Sequence, residues 1–265
     1  MNQLLLMIFL FAFVGVMFMM TLLWIISIRI NNVSIVDIFW GIGFIVVSGI
    51  YLYFDEEIRA RDIMVFVLVA IWGLRLSLYL LLRNYGKPED FRYQEFRKKY
   101  GAHRYWWFSF FQVFLLQGAL ITIISLPLLG VILHTRTDEL NFIDVLGIGA
   151  WIIGFMFETV GDYQLMKFKS NISNKGKVLD TGLWKYTRHP NYFGDAAVWW
   201  AFGLFAIAAG AYWYIVGSII MTYLIVRISG VALLEESLRG KKPEYKDYIT
   251  RTSSFFPWPP KKPRS

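Results

Sequence analysis

Cysteine is absent from this 265-residue chain, which excludes disulfides, thiolate catalysis and cysteine-ligated metals. Histidine is scarce too, and His103, His134 and His189 are too scattered to suggest a zinc site. No Gly-x-Gly-x-x-Gly run follows a strand-like segment, so no Rossmann domain is expected to hold a dinucleotide. No polar stretch is long enough to bury a core of its own, so no separate soluble domain is expected. Internal repeats are lacking, and the one low-complexity segment is the proline-rich stretch 257–263.

What the chain has instead is apolar surface. Hydrophobic residues make up 57% and aromatic residues 18% of the sequence, with a mean hydropathy of +0.48. A spanning helix needs roughly 20 apolar residues. Seven segments approach or meet that length: 4–28, 35–53, 63–82, 108–133, 142–165, 192–209 and 212–234. The first is too long for a signal-peptide core and lacks a basic leader, so it reads as a retained helix. Gly210 and Ala211 alone join the last two, which predicts a tight antiparallel pair.

The net charge of +8 resides in the loops, which makes membrane topology a simpler cause than nucleic-acid binding. With seven spans, 22 loop and tail cations fall on one side, against Arg59, Arg61 and Arg136 on the other. By the positive-inside rule the N-terminus is then outside and the C-terminus cytoplasmic. The expected fold is all-α: one polytopic transmembrane domain over residues 1–265, in a bacterial inner membrane and acting as a monomer. The stripe Tyr93, Phe96 and Tyr100 among charges predicts a short interfacial helix within 88–100.

Ionisable residues inside spans cost about 2.5–3.5 kcal/mol each at a helix centre. Asp37, Arg75, Glu158, Asp162, Asp195, Arg227, Glu235 and Glu236 all fall in the cytoplasmic portions of their helices or at the edge. Five helices thus bring polarity to one depth, which predicts a cytoplasm-facing polar cavity. Glu158 and Asp162, four apart, share a helical face with Lys169 near the same stripe. Their like charges need compensating donors or cations. Pro190 suits a first helical turn, and Arg188, His189, Asn191 and Tyr192 around it suit an anionic ligand at a helix start.

The stretch Arg188-His189-Pro190-Asn191-Tyr192-Phe193-Gly194-Asp195 resembles the signature of the steroid 5α-reductase superfamily, with its sterol reductases and bacterial steroid-reductase-like proteins. Gly161-Asp162-Tyr163 is similar to the acid-bearing helix ahead of that signature. Tyr245, Tyr248 and Ser254-Phe255-Phe256-Pro257 resemble its closing motif, and Asn84–Pro88 a loop that supplies a cation. The resemblance implies a seven-span reductase that takes NADPH from the cytoplasm and passes hydride to a conjugated C=C bond of a steroid-like lipid ketone. It implies a cofactor region over 158–258, lined by Glu158, Asp162, Lys169, Tyr186, Arg188, His189, Asn191 and Tyr192. Lys87, Asp195, Glu236 and Tyr248 are further cofactor candidates.

On the substrate side the resemblance implies an acid early in span two, matched by Asp37, and an aromatic hydroxyl on span three. Trp72, with Arg75 nearby, stands at that position. Trp72 lacks the hydroxyl, a departure that bears on the steroid substrate itself. Asp37 has no paired cation evident in the sequence, so a protonated Asp37 is the expected electrophile for the developing enolate. Isoprenylcysteine-type methyltransferases that use S-adenosylmethionine share part of the signature and form the alternative. A transporter would place polar residues on both membrane faces, whereas the outer half here reads as nearly bare.

Overall fold

The computed structural model describes residues 2–229, 231 and 244–261. Among the described residues the chain is helical throughout, with no strand and one isolated bridge between Thr187 and Ser253. It divides into two compact units, Met1–Leu140 with Ala209–Tyr214 and Asn141–Ala208 with Ile215–Ser265.

In the first unit, α1 (Asn2–Ile30) is apolar on every side. Ile8, Ala12, Val16 and Met20 return every four residues to one buried face, while Leu10, Val14 and Phe18 stay exposed. A helix coated with apolar side chains on its open faces is built for lipid. The buried face packs on α3 (Trp40–Tyr53) and on α6 (His103–His134). The expected span 35–53 is broken at Phe39, which separates α2 (Ile35–Ile38) from α3. Fourteen residues of α3 rise only about 21 Å, short of a bilayer's roughly 30 Å apolar core.

Gly41 of α3 meets Gly73 of α4 (Ala60–Asn84), where a Cβ on Gly41 would lie 2.8 Å from the Gly73 Cα. Only glycine admits so close a backbone crossing. The stripe around Tyr93 does form a helix, α5 (Phe91–Tyr100), whose N-cap Asp90 accepts from the Arg92 N–H. A π-helical segment, Phe110–Leu115, lies within α6. Leu126 and Pro127 restart the helix after Ser125, whose hydroxyl bonds that of Tyr51 at 2.8 Å. The end of this unit expected to be bare is polar: Arg61 and Asp62 are buried, and Arg61 donates to the Glu139 carbonyl. Nothing in a hydropathy count reveals such a pair, because each residue falls just before an apolar run.

In the second unit, α7 (Phe142–Ser170) begins with a capping box, Asn141 and Asp144 each accepting the other's backbone N–H. It pairs along its length with α8 (Pro190–Ala208). Gly147, Gly154 and Gly161 recur every seven residues and form one stripe on α7, since seven residues nearly complete two turns. All three face α8: Gly147 meets Phe205, Gly154 meets the Gly194 carbonyl, and Gly161 meets Pro190 and the Asn191 N–H. α9 (Tyr212–Ile228) follows Gly210, which turns the chain at φ 86°. Within this unit Ser218 of α9 donates to the Trp199 carbonyl at 2.6 Å. The closing segment carries α10 (Glu244–Arg251).

Among the described residues four helices are long and apolar enough to cross a membrane: α1, α4, α6 and α7. α3 and α9 are apolar but shorter. Glu235 and Glu236, with the expected end of the seventh span, lie outside the described residues.

Candidate functional site

The glycine stripe creates the main polar cluster of the second unit. Because α7 and α8 touch backbone to backbone at Gly154 and Gly194, side chains one turn away are shut from the surroundings. Glu158 and Asp162 are only 3% and 4% exposed. Asn191, in the first turn of α8, donates from Nδ2 to Asp162 Oδ1 at 3.0 Å. That bond fixes the amide's orientation, because a reversed amide would set oxygen against carboxylate. Asn191 Oδ1 is then buried with no hydrogen-bond partner among the described residues. His189 is buried, its ring stacked on Tyr192 at 5.6 Å and 17°. Asp195 follows one turn further along α8, half-buried.

Other expected cofactor residues stand differently. Arg188 is buried, and its Nη1 donates to the backbone carbonyls of Ile249 and Thr252 at 3.1 and 2.6 Å. Its own N–H donates to the Ser253 carbonyl. Tyr248 is buried and donates to the Trp184 carbonyl, and burial first of all pushes its phenol above the ordinary range. Trp184 in turn donates to the Gly161 carbonyl at 3.1 Å. Thr187 donates to Phe255, the Trp258 N–H to Tyr186, and Arg251 pairs with Asp180. Arg188 and Tyr248 therefore fasten the closing segment 244–261 over the signature. Tyr186 and Lys169 are exposed. Glu236 lies outside the described residues.

A second cluster belongs to the first unit and corrects the expectation for Asp37. Asp37 does have a cation: Arg92 donates to its Oδ2 at 2.8 Å, while the Tyr93 hydroxyl donates to Oδ1 at 2.7 Å. The partners lie 55 and 56 residues away, so no local pattern signals them. Gln117 of α6 brings Nε2 to 3.4 Å from both Asp37 Oδ1 and the Tyr93 oxygen. Burial, then the Asp37 charge, holds the Tyr93 phenol well above its usual range, so it keeps its proton.

The loop holding Asp37 is stapled in place. Glu89 accepts from the Val33 N–H and from Nε and Nη2 of Arg97, and the Asp90 N–H donates to Ser34. Burial alone would raise the Asp90 carboxyl, but hydrogen bonds from the Arg92 side chain and N–H hold it below its ordinary range. Trp72 is fully buried against Phe44 at 5.7 Å, and Arg75 is half-buried one turn on. Lys87 is exposed beside Gly86, which takes φ 68°. The residues that sequence reasoning missed here are Glu89, Arg92, Tyr93 and Gln117. An amide closing the apolar run Phe114-Leu115-Leu116-Gln117 was the visible signal.

No solved structure matches the chain. A curated relative, "Uncharacterized protein C594.04c" of Schizosaccharomyces pombe, is 25% identical over 262 residues, which covers 89% of this chain and 75% of that protein. The model of the family described as "Protein of unknown function (DUF1295)" matches residues 23–252, and the chain belongs to that family.

Proposed function

We propose that this protein is a membrane-embedded reductase that takes NADPH from the cytoplasmic side and delivers hydride to a conjugated C=C bond of a lipid enone. The observation that carries this reading is the buried Asp162–Asn191 pair at the Gly154–Gly194 crossing, with the stacked His189 and Tyr192 beside it in the signature. Asn191 Oδ1 is a buried acceptor without a donor among the described residues, and Asp162 is a buried acid; both suit the hydroxyl and amide donors of a nucleotide. The exposed Lys169, with Lys167 and Lys185 in the flanking segments, suits its phosphates. NADPH, when bound, supplies the hydride.

The chain's own residues then hold and shield. Glu158 and Asp162 orient donors in a site closed by the glycine crossing. In the first unit, carbonyl polarisation passes from a protonated Asp37 to the Arg92 guanidinium paired with it. The Tyr93 hydroxyl donates its one proton to Asp37 and holds that acid in place. The proposed arrangement has seven spans, with α3, α8 and α9 joining the four long helices. It places the N-terminus outside, in accord with 22 loop and tail cations against three. A C-terminal reporter should be active only in the cytoplasm, and activity on the other side would overturn this topology.

One observation favours the S-adenosylmethionine-dependent methyltransferase reading. Arg188, the signature's cation, is engaged with backbone carbonyls, and that leaves one fewer charge for phosphates. Ligand binding separates the two. A ligand at about 100 times its dissociation constant stabilises a fold by roughly 2.7 kcal/mol. NADPH should raise the melting temperature of the purified protein in detergent, with S-adenosylmethionine giving little. The reverse ranking would establish the methyltransferase, and no shift from either would remove both enzyme readings.

A further inference from the structure

Gln117 is one of two amides in an apolar stretch of α6, five residues after Gln112 and two residues beyond the π-helical segment Phe110–Leu115. A π-helical turn inserts an extra residue, changes which side chains face inward, and recurs at functional sites. Here it precedes a carboxamide whose Nε2 faces Asp37 Oδ1 and the Tyr93 oxygen, 3.4 Å from each. Exchanging the amide's oxygen and nitrogen would bring Oε1 against a carboxylate, so the acid dictates the orientation. Oε1 consequently points elsewhere, and it is buried with no hydrogen-bond partner among the described residues. Leaving such an acceptor dry forfeits the hydrogen bond it would make to water.

The neighbouring donors are committed. The Tyr93 hydroxyl goes to Asp37, and the Arg92 Nε and Nη2 go to Asp90 and Asp37. The cluster thus holds the Tyr93 hydroxyl and two Arg92 nitrogens on carboxylates and leaves Gln117 Oε1 open among the described residues. The open group calls for a donor carried on an apolar body.

We infer that the Asp37–Tyr93–Gln117 cluster is a binding site for the hydroxyl group of a lipid alcohol, whose O–H donates to Gln117 Oε1. A lipid ending in an ether, ester or ketone supplies no proton and leaves Oε1 as it is. Binding at this site does not depend on what the second unit binds. For an enone substrate it adds a second polar group, a hydroxyl, to the carbonyl.

The test uses the purified full chain in detergent without any nucleotide, so its outcome is separate from that of the NADPH experiment. The probes are octadecanol and its methyl ether, with a saturated sterol and its methyl ether as a second apolar body. Each ether keeps the oxygen acceptor and loses only the proton. The wild-type protein should bind at least one alcohol about tenfold more tightly than its ether. Gln117→Leu should bind both members of that pair alike, at the level of the ether. Gln117→Met, which conserves volume, should behave as Gln117→Leu does, and it serves if leucine disturbs packing. Equal affinity for alcohol and ether in the wild type would overturn the inference. So would a preference that survives both substitutions, or no binding of any of the four probes, since Oε1 would then be satisfied by water alone.

Discussion

Replacing Gly194 by alanine should destabilise the second unit by about 3 kcal/mol or more, at the upper end of what overpacking normally does. A Cβ at this position would lie 2.5 Å from the Gly154 carbonyl oxygen and closer still to the Glu158 N–H. Both obstacles are backbone, so no rotamer change relieves the clash and the two helices must separate. Separation would pull Asn191 from Asp162, whose bond spans the same interface at 3.0 Å. The variant should therefore melt earlier and also lose its ligand response. Gly149 supplies the control, because it sits on the partner helix α7 and an added Cβ meets nothing within 4 Å. Gly149→Ala should keep or slightly raise stability, as alanine favours a helix by up to about 1 kcal/mol over glycine. Equal melting temperatures for Gly194→Ala and the wild type would show that the crossing is looser than the distances indicate.

That crossing also marks the limit of what the sequence reveals. Long apolar runs announce α1, α4, α6 and α7, because lipid imposes a length that hydropathy records directly. The charged aromatic stripe announces α5, although the helix starts at Phe91, just after its N-cap Asp90. The break at Phe39 is silent, since neither glycine nor proline punctuates it. The turn that leads into α2 is held from a distance: Glu89 accepts from the Val33 N–H, and the Asp90 N–H donates to the Ser34 hydroxyl.

The candidate site divides the same way. Spacing alone put Glu158 and Asp162 on one face, and the signature singled out Asn191. The contact between Asp162 and Asn191 depends on Gly154, Gly161 and Gly194, whose importance appears only when two helices touch. The heptad spacing of Gly147, Gly154 and Gly161 was a readable trace of that contact. Asp37 is the opposite case. Its place at the edge of an apolar run was legible, but its partners were not, because Arg92 and Tyr93 arrive from another helix more than fifty residues away.

Arg188 gives the sharpest division between what residue type suggests and what geometry assigns. A signature arginine beside a helix start suggests a phosphate ligand, and on that basis Arg188→Ala would weaken NADPH more than NADH. The buried guanidinium instead donates to Ile249 and Thr252, and the backbone N–H holds Ser253. Alanine would leave two carbonyls without their charged donor, at about 1.5–3 kcal/mol for each charge-assisted bond. The expected result is a loss of stability of roughly 3 kcal/mol or more, with faster tryptic cleavage at Lys246 and Arg251 as the closing segment loosens. NADPH and NADH should then be lost in equal proportion. Lysine at 188 keeps the charge but not the planar fork, so it should restore the segment only in part. Lys169, exposed on the last turn of α7, is the residue whose removal should favour NADH over NADPH. If Arg188→Ala leaves the closing segment protected while selectively weakening NADPH, Arg188 belongs to the phosphate site and its role as a fastener falls.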